Sequence, residues 1–322
     1  MSCPASVWPE PSGRRVKLFY ADHFVLPLPP GHRFPMEKYA RLRERLQAGG
    51  LFAADAFHVP EAATDAEILR AHDAAYLDRV QAGTLDAAEM RRIGFPWSAA
   101  MVERSRRSAG ATLAACRAAL DEGCAANLAG GTHHAHRDFG SGFCVFNDAA
   151  IAALAMIAEG HAHRVAVVDC DVHQGDGTAT ILAGNPATFT LSLHGEKNFP
   201  FRKAASDLDI ELPDGTADAA YLAALDDALV QVFDGFRPDL VIYLAGADPY
   251  EGDRLGRLAL SLAGLAERDR RVLAACRAGG AAVAIAMAGG YAHHIDDTVA
   301  IHATTLETAA RLCRTSTEDN PA

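Results

Sequence analysis

The sequence predicts an α/β fold, a single unit built on a central, mostly parallel β-sheet flanked by helices, and three observations predict it. Short β-type runs alternate with Ala-rich helical stretches, several of those runs are apolar without a break, and titratable groups gather immediately after each run. No repeat, low-complexity block or linker interrupts the pattern. Residues 1–322 are therefore read as one domain with an ordered core over about 16–314 and short loose termini.

In chain order, the helical stretches are Ser98–Leu120, Asp148–Glu159, Ala219–Phe233 and Leu265–Ala278. The second stops at Gly160 and the last at Gly279-Gly280, where glycine can take the left-handed turn that closes a helix. The strands are Ala125–Leu128, the weakest signal, then Arg164–Val168, Ala187–Leu193, Leu240–Leu244 and Ala281–Met287. Runs such as LVIYL are apolar on both faces, as a parallel sheet between two helical layers requires. Ligands bind such sheets outside the carboxyl ends of the strands. There the sequence places GGTHHA, DCDVHQGDG, HGEKN, AGADPYEGD and AGGY.

Bulk composition excludes several classes of function. Half of the 322 residues are apolar, ample for a large core, and the net charge is −11, so a general polyanion binder of nucleic acid or anionic lipid is not expected. No apolar run approaches the ~20 residues that cross a bilayer, and the first residues do not read as a signal peptide. The seven cysteines (Cys3, Cys116, Cys124, Cys144, Cys170, Cys276, Cys313) include no CxxC pair and read as buried free thiols. A cytoplasmic protein is expected.

The chemistry begins at Asp169-Cys170-Asp171-Val172-His173. In an extended segment alternate side chains share a face, so Asp169, Asp171 and His173 would point together, an arrangement that calls for a cation. Carboxylate and imidazole donors suit a borderline divalent metal such as zinc. Asp248, after LVIYL, would complete a three-ligand set of Asp171, His173 and Asp248 that leaves one position open, the pattern of a catalytic site. His133 and His134, after Gly130-Gly131-Thr132, are candidate acid–base groups, with Asp169 and Asp176 available to orient them. Tyr291 in AGGY is a candidate donor to a developing oxyanion. Phe143 and Phe199 could wall a narrow apolar channel, and His136 and His194 lie close enough to these motifs to support them. The other histidines carry no readable pattern and are taken as surface or capping groups.

Together, GGTHHAHRDFGSGFCVFND, VVDCDVHQGDGT, LSLHG, LAGADPYEGDRLG and AGGY resemble the histone-deacetylase branch of the arginase/deacetylase superfamily, over about Lys17 to Ala310. HQGDG with EGDRLG resembles the class IV (eleven-type) members and the bacterial histone-deacetylase-like amidohydrolases. The resemblance implies the arginase/deacetylase fold and zinc on Asp171, His173 and Asp248. It implies His134 as general base and then acid, paired with Asp176, and His133, paired with Asp169, as an electrostatic partner. Tyr291 would polarise the substrate carbonyl, Phe143 and Phe199 would line an acyl-lysine channel, and the Gly142 carbonyl would accept the substrate amide N–H. A potassium ion would be held by the carbonyls of Asp169, Asp171, His173 and Leu193 with the Ser192 hydroxyl. Gln174 stands where many members have a second histidine, and the acidic rim residue of class I members has no clear counterpart; Gly94-Phe95-Pro96-Trp97 is a candidate rim segment instead.

The expected activity is removal of acetyl or longer acyl groups from lysine side chains of proteins or peptides. A second expectation on the same fold is an acetylpolyamine or other small-molecule amide deacetylase, and a third is a non-catalytic binder of an acyl metabolite. A binuclear manganese ureohydrolase would need Asp-x-His-x-Asp and a second carboxylate where this chain has Tyr250.

Overall fold

A computed structural model describes residues 16–314; the terminal stretches expected to be loose lie outside them, as do Cys3 and the side chain of Cys313. Eight strands form one sheet: β1 (Lys17–Phe19), β2 (Phe57–His58), β3 (Cys124–Asn127), β4 (Val165–Asp169), β5 (Thr188–Gly195), β6 (Leu208–Leu212), β7 (Leu240–Leu244) and β8 (Ala282–Ala286). Their order across the sheet is β2-β1-β3-β8-β7-β4-β5-β6, and every pairing is parallel.

The four central strands, β3, β8, β7 and β4, are buried at every position. Side chains alternate between two cores. Val241 and Tyr243 of β7 face the layer containing helices Asp218–Val230, Leu262–Ala278 and Ile295–Arg314, whereas Leu240, Ile242 and Leu244 face helices Ala99–Glu122 and Asp148–Ala158. Each central strand thus buries apolar surface twice, worth ~1.5–3 kcal/mol per large aliphatic side chain.

Several expected bounds shift. The strand expected at Arg164–Val168 starts and ends one residue later, so Asp169 joins the ladder opposite Ser192 on β5 and Leu244 on β7. The helix expected from Ser98 uses Ser98 as its cap, the hydroxyl accepting from Met101 N at 3.0 Å. The helix expected at Ala219–Phe233 runs Asp218–Val230 and continues as a π-helical turn, Gln231–Phe236. Strands β1, β2 and β6 were not expected: the first two have three and two residues, and β6 is a half-buried edge strand. Because all eight strands run the same way, their carboxyl ends open on one edge of the sheet, where the expected motifs meet.

Candidate active site

Past Asp169 the chain leaves extended geometry, so the alternation expected through His173 does not continue as a strand. Carboxylates fold it back instead. Asp169 Oδ1 accepts the Asp171 N–H at 3.0 Å, Asp171 Oδ1 accepts the His173 N–H at 3.0 Å, and Asp248 Oδ1, from the loop after β7, accepts the Val172 N–H at 2.9 Å. These turns aim three side chains at one point. Donor atoms of Asp171, His173 and Asp248 all lie within 4.8 Å of one another, with His173 Nδ1 2.9 Å from Asp171 Oδ1 and 3.3 Å from Asp248 Oδ2.

The electrostatics of this cluster fit a cation. Asp248 is fully buried, and among the described residues its Oδ2 makes the ion-pair contact with His173 but no hydrogen bond of good geometry. Burial, and then the nearby Asp171 carboxylate, push Asp248 up to about 7. Burial works against a charged His173, but Asp171 and Asp248 overcome it and raise the ring to about 10. A proton held on Nδ1 between two carboxylates occupies the place that a divalent ion would take, and the ion would also satisfy Asp248 Oδ2. Gly289 closes this pocket: its N–H donates to Asp171 Oδ2 at 2.7 Å, and a Cβ there would overlap Asp248 Oδ2.

His133 and His134 follow a turn that glycine makes possible. Gly131 has φ 70, and a Cβ on it would overlap Ala288. Asp148, absent from the expected site, holds this turn from the first residue of its helix. Its carboxylate accepts Gly131 N–H at 3.0 Å, Thr132 N–H at 2.7 Å and the Thr112 hydroxyl at 2.6 Å. The sequence signal was an Asp opening a helix beside a glycine turn, which also describes an ordinary cap.

The two rings lie 4.2 Å apart and titrate in opposite directions. His133 Nδ1 is 2.6 Å from Asp169 Oδ2; burial disfavours its charge, but Asp169 and Asp171 raise it to about 9. His134 Nδ1 is 2.7 Å from Asp176 Oδ1, yet burial, reinforced by the neighbouring His133, lowers it to about 4. His136 Nε2 meets the other Asp176 oxygen at 3.1 Å. One ring of the pair is therefore cationic near neutral pH and the other neutral, with a nitrogen free to take a proton.

Tyr291 is fixed through its backbone: its N–H donates to Asp253 Oδ2 at 2.6 Å, and its carbonyl accepts Arg254 Nε at 2.9 Å. Burial, then Asp248, hold its phenol well above the usual value, so it stays a donor. Lys38 was not expected at the site. It is buried, with Nζ 3.2 Å from the Ala288 carbonyl, 3.4 Å from that of Gly290 and 5.3 Å from the Tyr291 ring centre. Its helix, Glu37–Ala48, precedes the site motifs by about ninety residues of sequence, so no local pattern flagged it.

A cavity of about 760 Å³ reaches these groups. Phe143 and Phe199 line it; Phe199 stands edge-on to His134 at 4.9 Å, and Phe143 adopts φ 66, a conformation that costs a non-glycine residue ~1–2 kcal/mol. The Gly142 carbonyl also lies here and takes the Cys144 thiol at 3.4 Å. Gly94–Trp97, the expected rim, sits behind this wall: Phe95 packs on Phe143 at 5.3 Å, while Arg91 and Arg92 line the opening. Several histidines taken as surface groups are not. His72 is buried and accepts the Asn147 N–H at 2.9 Å, His302 is buried, and His32 packs on Phe143. His194 is also buried, with Nδ1 3.0 Å from the Ser192 hydroxyl.

Comparison with known proteins gives one consistent result. A histone deacetylase domain model matches residues 32–306. An uncharacterised protein of Picosynechococcus is 44% identical over 91% of this chain and 97% of its own length. Histone deacetylase 2 of Arabidopsis thaliana is 30% identical, covering 81% of this chain and 70% of its own. A histone deacetylase-like amidohydrolase of Pseudomonas aeruginosa is 32% identical over 73% of this chain and 65% of its own. The crystal structure of an HDAC homologue from Aquifex aeolicus shares the fold with a TM-score of 0.79 at 24% identity, over 92% of this chain and 84% of the other. With the domain model spanning most of the chain and a curated relative 30% identical over most of its own length, the chain belongs to the histone deacetylase family.

Proposed function

We propose that this deacetylase-family chain is a zinc-dependent amidohydrolase that removes acetyl or longer acyl groups from lysine side chains of proteins or peptides. One observation carries the reading: a buried Asp248 oxygen that among the described residues accepts no hydrogen bond of good geometry faces His173 and Asp171, beside a neutral His134. Two carboxylates and one imidazole are a donor set that zinc favours, and three protein ligands leave a position open. When bound there, zinc supplies Lewis acidity, lowering the pKa of a water towards ~7 and polarising the amide carbonyl.

The chain's own residues supply the rest. Asp176 fixes the proton of His134 on Nδ1, so Nε2 accepts the proton of the attacking water. The Tyr291 phenol donates to the oxyanion that develops on the carbonyl carbon's oxygen. His133, held cationic by Asp169, offsets negative charge beside it. His134 then returns its proton to the amine nitrogen as the C–N bond breaks, releasing the acid and an unmodified lysine ε-amine. Phe143 and Phe199 keep bulk water from the acyl group.

The same reading includes a potassium ion on the carbonyls of Asp169, Asp171, His173 and Leu193 with the Ser192 hydroxyl. The register pairing of Asp169 with Ser192 supports it, and burial lowers His194 to about 4, so that ring is neutral beside the site. Gln174, whose amide donates to Asp209 and the Ala204 carbonyl at 2.8 Å each, supports a class IV kinship. Among the described residues five cysteines are buried free thiols and no helix is long and apolar enough to cross a membrane, which supports a cytoplasmic location.

The test is a panel of lysine peptides acylated from acetyl to myristoyl, assayed with zinc-loaded protein with and without a chelator, alongside acetylspermidine. Release of the carboxylic acid, leaving an unmodified lysine side chain in the peptide, is expected, and the chelator should abolish it. Hydrolysis of acetylspermidine alone, or of nothing, overturns the proposal.

A further inference from the structure

The charge lining the cavity is opposite in sign to the charge of the chain. Net charge is −11, yet apart from the carboxylates of Asp171 and Asp248 every ionised non-histidine side chain on the cavity wall is cationic. Arg33, Arg91, Arg92 and Arg254 are exposed at it, and among the described residues none forms a salt bridge, the nearest acid influence being that of Asp86 on Arg91. Arg257 pairs with Asp214 at 3.0 Å and Lys197 with Glu196 at 3.0 Å, so these two cations are balanced locally. A solvated face of an acidic protein would normally carry its own counter-charges. Here four guanidinium groups line one opening without a salt bridge.

Two of these residues are tied to opposite walls of the reaction site. The Arg92 carbonyl accepts the Gly142 N–H at 3.0 Å, which sets it beside Phe143. Arg254 Nε donates to the Tyr291 carbonyl at 2.9 Å, leaving the rest of its guanidinium fork for another acceptor. With an acyl group inserted between Phe143 and Phe199, whatever stays outside meets these arginines. Planar guanidinium forks match carboxylate or phosphate, and a polyamine would meet like charge.

Resting on the amide-hydrolysing reading above, we infer that the preferred substrate carries an anionic group on the amine side of the scissile bond, about one lysine side chain away, and that Arg92, Arg254, Arg33 and Arg91 select for it. That group is the α-carboxylate of a free acylated amino acid or an acidic side chain flanking an acyl-lysine in a peptide.

The experiment measures kcat/KM and calorimetric Kd on zinc-loaded protein. It uses acetyl-lysine peptides of one length with Glu, Gln or Lys flanks, and free Nε-acetyl-lysine against its α-amide. The Glu-flanked peptide, the free carboxylate, or both should exceed the neutral match by about tenfold at low salt, with the Lys-flanked peptide weakest. The advantage should shrink towards ~1 M salt, where the screening length is ~3 Å. Which pair responds identifies the carrier, a small amino acid or an acidic segment. Arg92→Glu should reverse the order, and Arg33→Glu/Arg91→Glu, whose side chains make no hydrogen bond among the described residues, should do the same while leaving Phe143, Phe199 and Tyr291 in place. Equal values for charged and neutral partners, or a preference for Lys flanks, overturn the inference while leaving amide hydrolysis standing. Should no substrate be hydrolysed, the functional reading fails and the order of Kd values still decides this one.

Discussion

Asp176 binds two histidines at once, one carboxylate oxygen 2.7 Å from His134 Nδ1 and the other 3.1 Å from His136 Nε2. The second contact stops the carboxylate from turning, so the tautomer of His134 is fixed through a group that is itself fixed. Asp176→Asn keeps the shape but can present an amide N–H to Nδ1, moving the ring proton to Nε2. We expect kcat to fall by about 10²-fold or more, with the circular dichroism spectrum retained. A variant that turns over at the parental rate removes Asp176 from the mechanism.

His133 sets the working range of His134. Burial and then the charge of His133 hold His134 at about 4, so its accepting form is present above that pH and is lost as pH falls through it. The acid limb of kcat/KM should accordingly lie well below the ~6.5 of an ordinary histidine. His133→Gln removes the neighbouring cation and leaves Asp169 unpaired; both changes favour a protonated His134. The limb should move to higher pH, as a pH–rate profile of the two proteins will read. An unmoved limb would show that the rings do not communicate.

The oxyanion role of Tyr291 predicts a loss confined to chemistry. Tyr291→Phe keeps the ring that packs 6.2 Å from Phe143 and removes only the donor. One such donor is typically worth ~3–4 kcal/mol, or about 10²–10³-fold in kcat. Metal content and Tm should stay near parental values, and near-normal turnover of an acetyl-lysine substrate would refute the role.

How much of this was legible in the sequence differs by element. Strands β7 and β8 announced themselves because LVIYL and AVAIA are buried on both faces, and a run apolar throughout has few other homes, whereas the short CAAN of β3 signalled weakly. The residues after them were legible for a related reason: carboxylates and imidazoles at the end of a core strand need partners. What was missed acts over long sequence distance or looks ordinary. Asp148 reads as a helix cap, Lys38 as one charge in a helix rich in charges, and Arg92 as a surface residue; only the fold brings each to the site. The short β1 and β2 carry too few residues to show any period.

Gly289 stands where a side chain would intrude on the proposed metal site. A Cβ at this position would overlap Asp248 Oδ2 and come within 2.6 Å of Asp171 Oδ2. Mass spectrometry of the parental protein should find one zinc per chain; two would favour a binuclear centre. Gly289→Ala should retain well under half of that after dialysis. It should also lose the zinc-dependent rise in stability, which for a site filled at 100 times its Kd is ~2.7 kcal/mol. Full retention of metal by this variant would argue that the ion sits elsewhere.

Lys38 places an ammonium group inside the protein beneath the turn that carries Tyr291, and among the described residues no carboxylate pairs with it. Its charge is met by the carbonyls of Ala288 and Gly290 and by the faces of Phe34, Tyr39 and Tyr291, whose centres lie 5.3–5.7 Å away. Lys38→Met keeps the stem and removes both donors. Leaving two buried carbonyls short of partners costs ~1–3 kcal/mol each, whereas relief of a buried charge offsets part of that, so a change in Tm alone has no diagnostic sign. The split between kinetic constants does. If Lys38 positions Tyr291, kcat should fall by about tenfold, ~1.4 kcal/mol, while KM stays near its parental value, because the loss is felt at the oxyanion and not in ground-state binding. Lys38→Arg, which restores donors to the same carbonyls, should recover most of the rate. Equal rates for Lys38→Met and the parental enzyme would leave the buried cation with a packing role only.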